Sequence, residues 1–180
     1  MYNKRMRSIL MEQYEIPSLD SESVAEKGKH EKKTQERITY LAGQLDDEWR
    51  KSRWQEETGS YEPRIKLVED LEWTERHGGA VEVDIANTAY EDLPSKWQKE
   101  NKESAVVAIT EVEKALEGNR ELNESFLEDA SAVLHDKWLE RNRDWASIEQ
   151  SVPYGELSEE EKEKDRVIIR RAIFLCVTGE

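Results

Sequence analysis

Two stretches of this 180-residue sequence each occur twice at helical spacing, and that repetition restricts the fold more than any single motif does. A shift of 89 positions places Ile38, Leu41, Leu45 and Trp49 on Leu127, Ala130, Leu134 and Trp138. A shift of 64 places Tyr90-x-x-Leu93 on Tyr154-x-x-Leu157, Asn101-Lys102 on Asp165-Arg166, and Ala105, Ala108 and Ile109 on Ile169, Ala172 and Ile173. The shifts differ by 25 residues, all missing from the connector of the second copy. A duplicated helix–connector–helix unit that has lost a loop from one copy produces this pattern. Each helix pair is too small to bury its apolar stripe alone, so the two copies are expected to pack against each other.

The periodicity gives a mainly α expectation with four helices. The first starts near Thr34 and ends around Trp54, with Ile38, Leu41, Leu45 and Trp49 on one face. Gly59 to Asn87 breaks the helical period, and alternation in Val81-Glu-Val-Asp-Ile85 predicts a short extended segment. A second helix begins near Pro94, where Ser95-x-x-Gln98 offers a capping box; its apolar face is Ala105, Ala108, Ile109, Val112 and Leu116, and Gly118-Asn119 stops it. Ser125-x-x-Glu128 and Ser158-x-x-Glu161 open the third and fourth helices. The organisation is therefore an N-terminal arm over 1–33, a first unit over 34–118 and a second over 119–180, the two units forming one compact domain. The arm reads as mobile or as carrying a short docking helix around Ile9–Tyr14, with a linker after Pro17.

Charge narrows the function classes. The net charge is −14, and beyond Arg37 the remaining residues carry −15. A folded part this acidic is a poor general binder of nucleic-acid phosphates, so no direct nucleic-acid binding is expected. A basic protein partner, or a homo-oligomer, suits it better. Cys176 is the single cysteine, which excludes an intrachain disulfide and makes a reducing compartment the default. No run is long or apolar enough for a signal peptide or membrane span, and the expectation is a cytoplasmic protein.

The duplicated motifs resemble the ryanodine-receptor (RyR) repeat family, whose units carry a helix ending His-x-x-Trp, a variable connector, then Pro-Tyr-x-x-Leu-Pro and a Glu/Lys-rich helix with Asp-Arg. The second copy has Leu134-His135-x-x-Trp138, Val152-Pro153-Tyr154-Gly-Glu-Leu157 and Glu159-Glu-Glu-Lys-Glu-Lys-Asp165-Arg166. The first has Leu45-Asp46-x-x-Trp49, Tyr61-Glu-Pro63, Tyr90-Glu-Asp-Leu93-Pro94 and Asn101-Lys102, so Asp46 stands for the His and Asn101 for the Asp. The second copy lacks most of the connector and has Ser158 where Pro is usual. The resemblance implies a non-catalytic interaction or nucleotide-responsive module, of bacterial or phage type, with a sensing or sequestering role in defence.

Read from the residues themselves, common catalytic signatures are absent: no P-loop, no Gly-x-Gly-x-x-Gly and no Gly-x-Ser-x-Gly occurs. His30, His77 and His135 lack partners at ligand spacing, so no metal or cofactor is expected. The first connector is the richest region. Arg53, Arg64 and Lys66 could clamp a phosphate, Tyr61 could stack on a base, and Asp84 or Asn87 could take ribose or base hydrogen bonds beside Tyr90. The plain alternative has Arg64 and Lys66 pairing with surplus acids while Asp84 and Asn87 cap turns. Trp49 and Trp138 read as core anchors. Two functions follow: a non-enzymatic protein recognising a nucleotide-like signalling ligand through this connector, or an acidic module that inhibits or scaffolds a partner protein.

Overall fold

A computed structural model describes residues 21–144 and 146–179. The chain divides into two compact units, Met1–Thr34 and Gln35–Glu180. In the first, the described residues begin α1 (Ser21–Lys51), and the side chains from Ala25 to Lys33 are exposed. The docking helix expected around Ile9–Tyr14 lies outside the described residues. Helix begins well before the expected start near Thr34. Glu, Lys and Ala are good helix formers, and no proline follows Pro17 in this stretch, so backbone propensity extends the helix where no apolar stripe marks it.

In the second unit, Ile38, Leu41 and Ala42 of α1 are buried, as the stripe predicts. α1 stops at Lys51, three residues before the expected Trp54, because Trp54–Gln55 (β1) pairs antiparallel with Ser60–Tyr61 (β2). Ile65–Leu67 (β3) then pairs antiparallel with Glu82–Asp84 (β4), in the register Ile65↔Asp84 and Lys66↔Val83. β4 sits inside the alternating segment. Between β3 and β4 lies a helix that periodicity missed, α2 (Leu71–Arg76). It is six residues long, and what starts it is the Asp70 side chain accepting from the Trp73 backbone N–H at 3.0 Å. Gly78 and Gly79, at φ 65 and 88, turn the chain back into β4 through a backbone region that side chains disfavour.

α3 (Ser95–Glu117), α4 (Glu124–Asn142) and α5 (Glu159–Thr178) pack on one another, with α5 against both of the others. Ala105, Ala108 and Ala172 are fully buried and let the helices approach closely. Leu116, expected on the apolar face of α3, is 41% exposed, and Ala115 is buried in its place. α3 ends at Gly118, with Asn119 at φ 53, where the stop signal predicts. Each of the paired tracts forms one 3-10 turn: Tyr90–Asp92 and Tyr154–Glu156. Each turn is closed by the following leucine N–H donating to the tyrosine carbonyl at 3.2 Å, and both tyrosines and both leucines are buried.

Of the three serines expected to cap their helices, only Ser158 does. At Ser158 the side chain does cap α5, accepting from Glu161 N at 3.2 Å. α4 is capped instead by Asn123, whose side chain accepts from Phe126 N at 3.1 Å, and Glu128 turns away to Arg166. At α3 the Ser95 hydroxyl donates to Asp70, and Gln98 donates to the Tyr90 carbonyl at 2.8 Å. Among the described residues no helix is long and apolar enough to cross a membrane.

Candidate functional site

A cavity of about 950 Å³ opens in the second unit where the C-terminal turns of α1 and α4 meet α3 and α5. Leu45, Trp49 and Ser52 come from α1 and its end, Leu134, His135 and Trp138 from α4, Asn101 and Ser104 from α3, and Asp165 and Ile168 from α5. Helical spacing brings each set onto one face, since residues three and four apart are neighbours. Three of the pairs related by the sequence repeat, Leu45 with Leu134, Trp49 with Trp138 and Asn101 with Asp165, line it with both members. Both indoles are half-buried; Trp49 packs against the hydrophobic core, as the anchor reading expects, while both also line the cavity.

His135 and Asp165 form the chemical centre of this wall. His135 is only 4% exposed. Its Nε2 lies 2.9 Å from the Val152 carbonyl oxygen, which can only accept, so Nε2 carries a proton and donates. Nδ1 then faces Asp165 Oδ2 at 3.5 Å, close enough for strong electrostatic contact but long for a hydrogen bond. Burial pushes the Asp165 carboxyl up to about 7, helped by Glu161 and opposed by His135 and Lys164. Behind this pair Tyr154 donates to Glu128 at 3.2 Å, and Arg166 holds Glu128 from α5 at 3.0 Å. The Arg166 hydrogen bonds keep the Glu128 carboxyl below its ordinary range despite some desolvation. That bridge fixes the second 3-10 turn and α5 against α4.

The matching position in the first copy is built differently. Asp46 occupies the place of His135, is 4% exposed, and is pushed up to about 6 by burial, with Arg50 at 3.1 Å opposing. Tyr90 is buried beside it, and its phenol is raised by that burial and by the Asp46 charge.

None of the seven connector residues lines the large cavity. The Arg53 guanidinium sits 5.6 Å from the Trp49 ring centre and pairs with Glu62 at 2.9 Å; Arg64 lies 5.9 Å from the same ring. Lys66 goes elsewhere, 5.3 Å from the Trp97 ring. Tyr61 packs edge-on against Trp54 at 5.1 Å, with Arg50 over its ring, beside a separate groove of about 600 Å³. Asp84 accepts from Arg64 N at 2.9 Å and from the Asn87 amide at 2.8 Å. Asn87 in turn brackets the Tyr61 backbone, accepting at 3.1 Å and donating at 2.9 Å. Burial works against the Asp84 charge, yet these hydrogen bonds hold its carboxyl below the ordinary range. Asp84 and Asn87 thus brace the connector and tie it to the Tyr61 and Arg64 backbone, Arg53 and Arg64 share the Trp49 ring, Lys66 lies apart at Trp97, and Tyr90 is core.

Sequence reasoning missed His135 and Asp165 as a pair because 30 residues separate them; the signal was present, since both sit in the repeated motif. Cys176 is buried, with its thiol pushed up to about 11 by desolvation, and so is a core residue that stays protonated. Among the described residues no three His, Cys, Asp or Glu side chains gather in a metal-holding group. Comparison with protein-family models, curated proteins and solved structures finds no match for the chain.

Proposed function

We propose that this chain is a non-enzymatic, RyR-like ligand-binding module whose site is the cleft between its two helix–connector–helix copies. One observation carries the reading: residues paired by the sequence repeat, two half-buried tryptophans among them, converge on a single cavity of about 950 Å³. Binding sites are concave, largely apolar and furnished with a few placed polar groups, and the cleft has Leu45, Leu134 and Ile168 beside His135 and Asp165. The matching 3-10 turns at Tyr90 and Tyr154 support a duplication with one shortened connector.

The nucleotide-binding reading of the first connector fares less well. Arg53, Arg64 and Lys66 would have to leave two different indole rings to meet on one phosphate. A thermal-shift screen of the whole chain separates the two sites. Saturating a site to 100 times its dissociation constant adds about 2.7 kcal/mol, a readily measured shift. The cleft predicts a shift abolished by Trp138→Ala and kept in Arg64→Ala; the reverse pattern moves the site to the connector and sinks this reading.

A further inference from the structure

Two features of the cleft specify the charge of what it holds. Its lining carries six carboxylates, Glu48, Glu100, Glu160, Glu161, Glu163 and Asp165, against two fixed cations, Lys164 and Arg171. Both cations are already engaged, Lys164 with Glu161 and Arg171 with Glu48 at 3.0 Å. An anionic ligand would therefore meet a surplus of carboxylates and no uncommitted positive group. On the acidic side two groups are left over. Asp165 has His135 as its one close partner, at 3.5 Å, and Glu160 makes no ion pair among the described residues.

The aromatic walls agree with this polarity. Two indole faces already hold cations: Arg53 and Arg64 approach Trp49, and Lys66 and Lys96 approach Trp97. Trp138 lines the cavity and has no cation over its ring among the described residues; only the His135 ring approaches it, at 6.2 Å. Leu134, Leu157, Val167 and Ile168 supply hydrocarbon surface alongside.

We propose that the cleft takes an organic cation, an amine or guanidinium on an apolar stem, with its charged head between Asp165 and Trp138 and its stem along Leu134 and Ile168. The proposal rests on the cleft being the binding site and names the ligand class for it. The same chemistry is found in a free polyamine and in a lysine or arginine side chain of a basic peptide. Binding is proton-linked. Asp165 is faced by His135 from α4 and by Glu161 and Lys164 on its own helix, with Glu48 of α1 and Glu100 of α3 lining the same cavity. A bound cation favours the carboxylate form, so affinity rises with pH and levels off above the Asp165 titration near 7.

The test is titration of the whole chain, by calorimetry and tryptophan fluorescence, with agmatine, spermidine and tetramethylammonium, with a short Arg/Lys peptide, and with AMP and inorganic phosphate. The expected result is cation binding that weakens about tenfold from pH 8 to pH 6. It should fall at least about tenfold in Asp165→Asn and Trp138→Ala, a loss of about 1.4 kcal/mol or more. Trp138→Phe should retain part of it, and Glu69→Gln, an exposed partner of Lys96 outside the cavity, should leave it unchanged. Circular dichroism confirms that each variant folds. Tighter binding of the peptide than of agmatine assigns the cation to a protein partner; the opposite order assigns it to a free amine. Binding of AMP or phosphate that depends on Trp138 overturns the cation class while leaving the cleft as the site. Cation binding indifferent to both Trp138 and Asp165, or no binding of any cation probe, overturns the proposal outright.

Discussion

Asp165 shows how a site can be set against the stability of the chain that carries it. Its carboxyl titrates near 7 in the folded state against an ordinary value of 3.8, so the folded state binds the extra proton between those values. Stability from this group is therefore fully present below pH 4, is lost as pH rises towards 7, and stays lost above. Asp165→Asn removes the ionisation. The variant should be more stable than the parent at pH 8 by about 1–3 kcal/mol, and the gap should close near pH 4, as read from urea denaturation at the two pH values. A gap that does not change with pH would mean that the buried carboxyl carries no such cost. Asp46, pushed up to about 6, contributes in the same sense over a narrower window. Little of this was legible beforehand. Desolvation depends on which residues three helices bring to one place, and sequence spacing does not record that.

Among the elements, the apolar stripes were the most readable part and the helix ends the least. Ile38 and Leu41, then Ala105, Ala108, Ile109 and Val112, then Ile169, Ala172 and Cys176 are buried where the 3.6-residue period puts them, while Ile173 is only partly buried. A cap depends on local competition. Asn123 stands two residues before Ser125 and reaches Phe126 N first, so α4 starts at Glu124 with Ser125 already inside the helix. Asn123→Ala should cost about 1 kcal/mol of stability and Ser125→Ala under about 0.5, measured as shifts in the urea midpoint. Equal losses would restore the capping box at Ser125. α2 escaped notice for a related reason: a helix of six residues is held by Asp70 and by the buried Trp73 ring, whose Nε1 donates to the Asp92 carbonyl at 2.7 Å, with no room for a period to develop.

For the molecule as a whole, the repeat in the sequence located the cleft without identifying it. Trp49 and Trp138 were paired on the page, but a half-buried tryptophan and a core tryptophan look alike in a sequence. The seven connector residues were chosen for their chemistry, and chemistry alone could not show that Asp84 and Asn87 spend theirs on the backbone of Arg64 and Tyr61. Composition correctly placed the chain among mainly helical folds, since few glycines and prolines leave little material for turns.

The lone cysteine turns the fold into its own stopwatch. Cys176 lies on the inner face of α5, and its backbone carbonyl accepts from Arg37 of α1 at 3.3 Å. A thiol-specific reagent can reach it only while that packing is open, and only the thiolate reacts. Labelling of the native chain should therefore run far more slowly than labelling of the urea-unfolded chain, and Arg37→Ala should quicken it. The ratio of the two rates reads out how often α1 and α5 part. Labelling as fast in the native chain as in the unfolded one would mean that this part of the core is open to solvent.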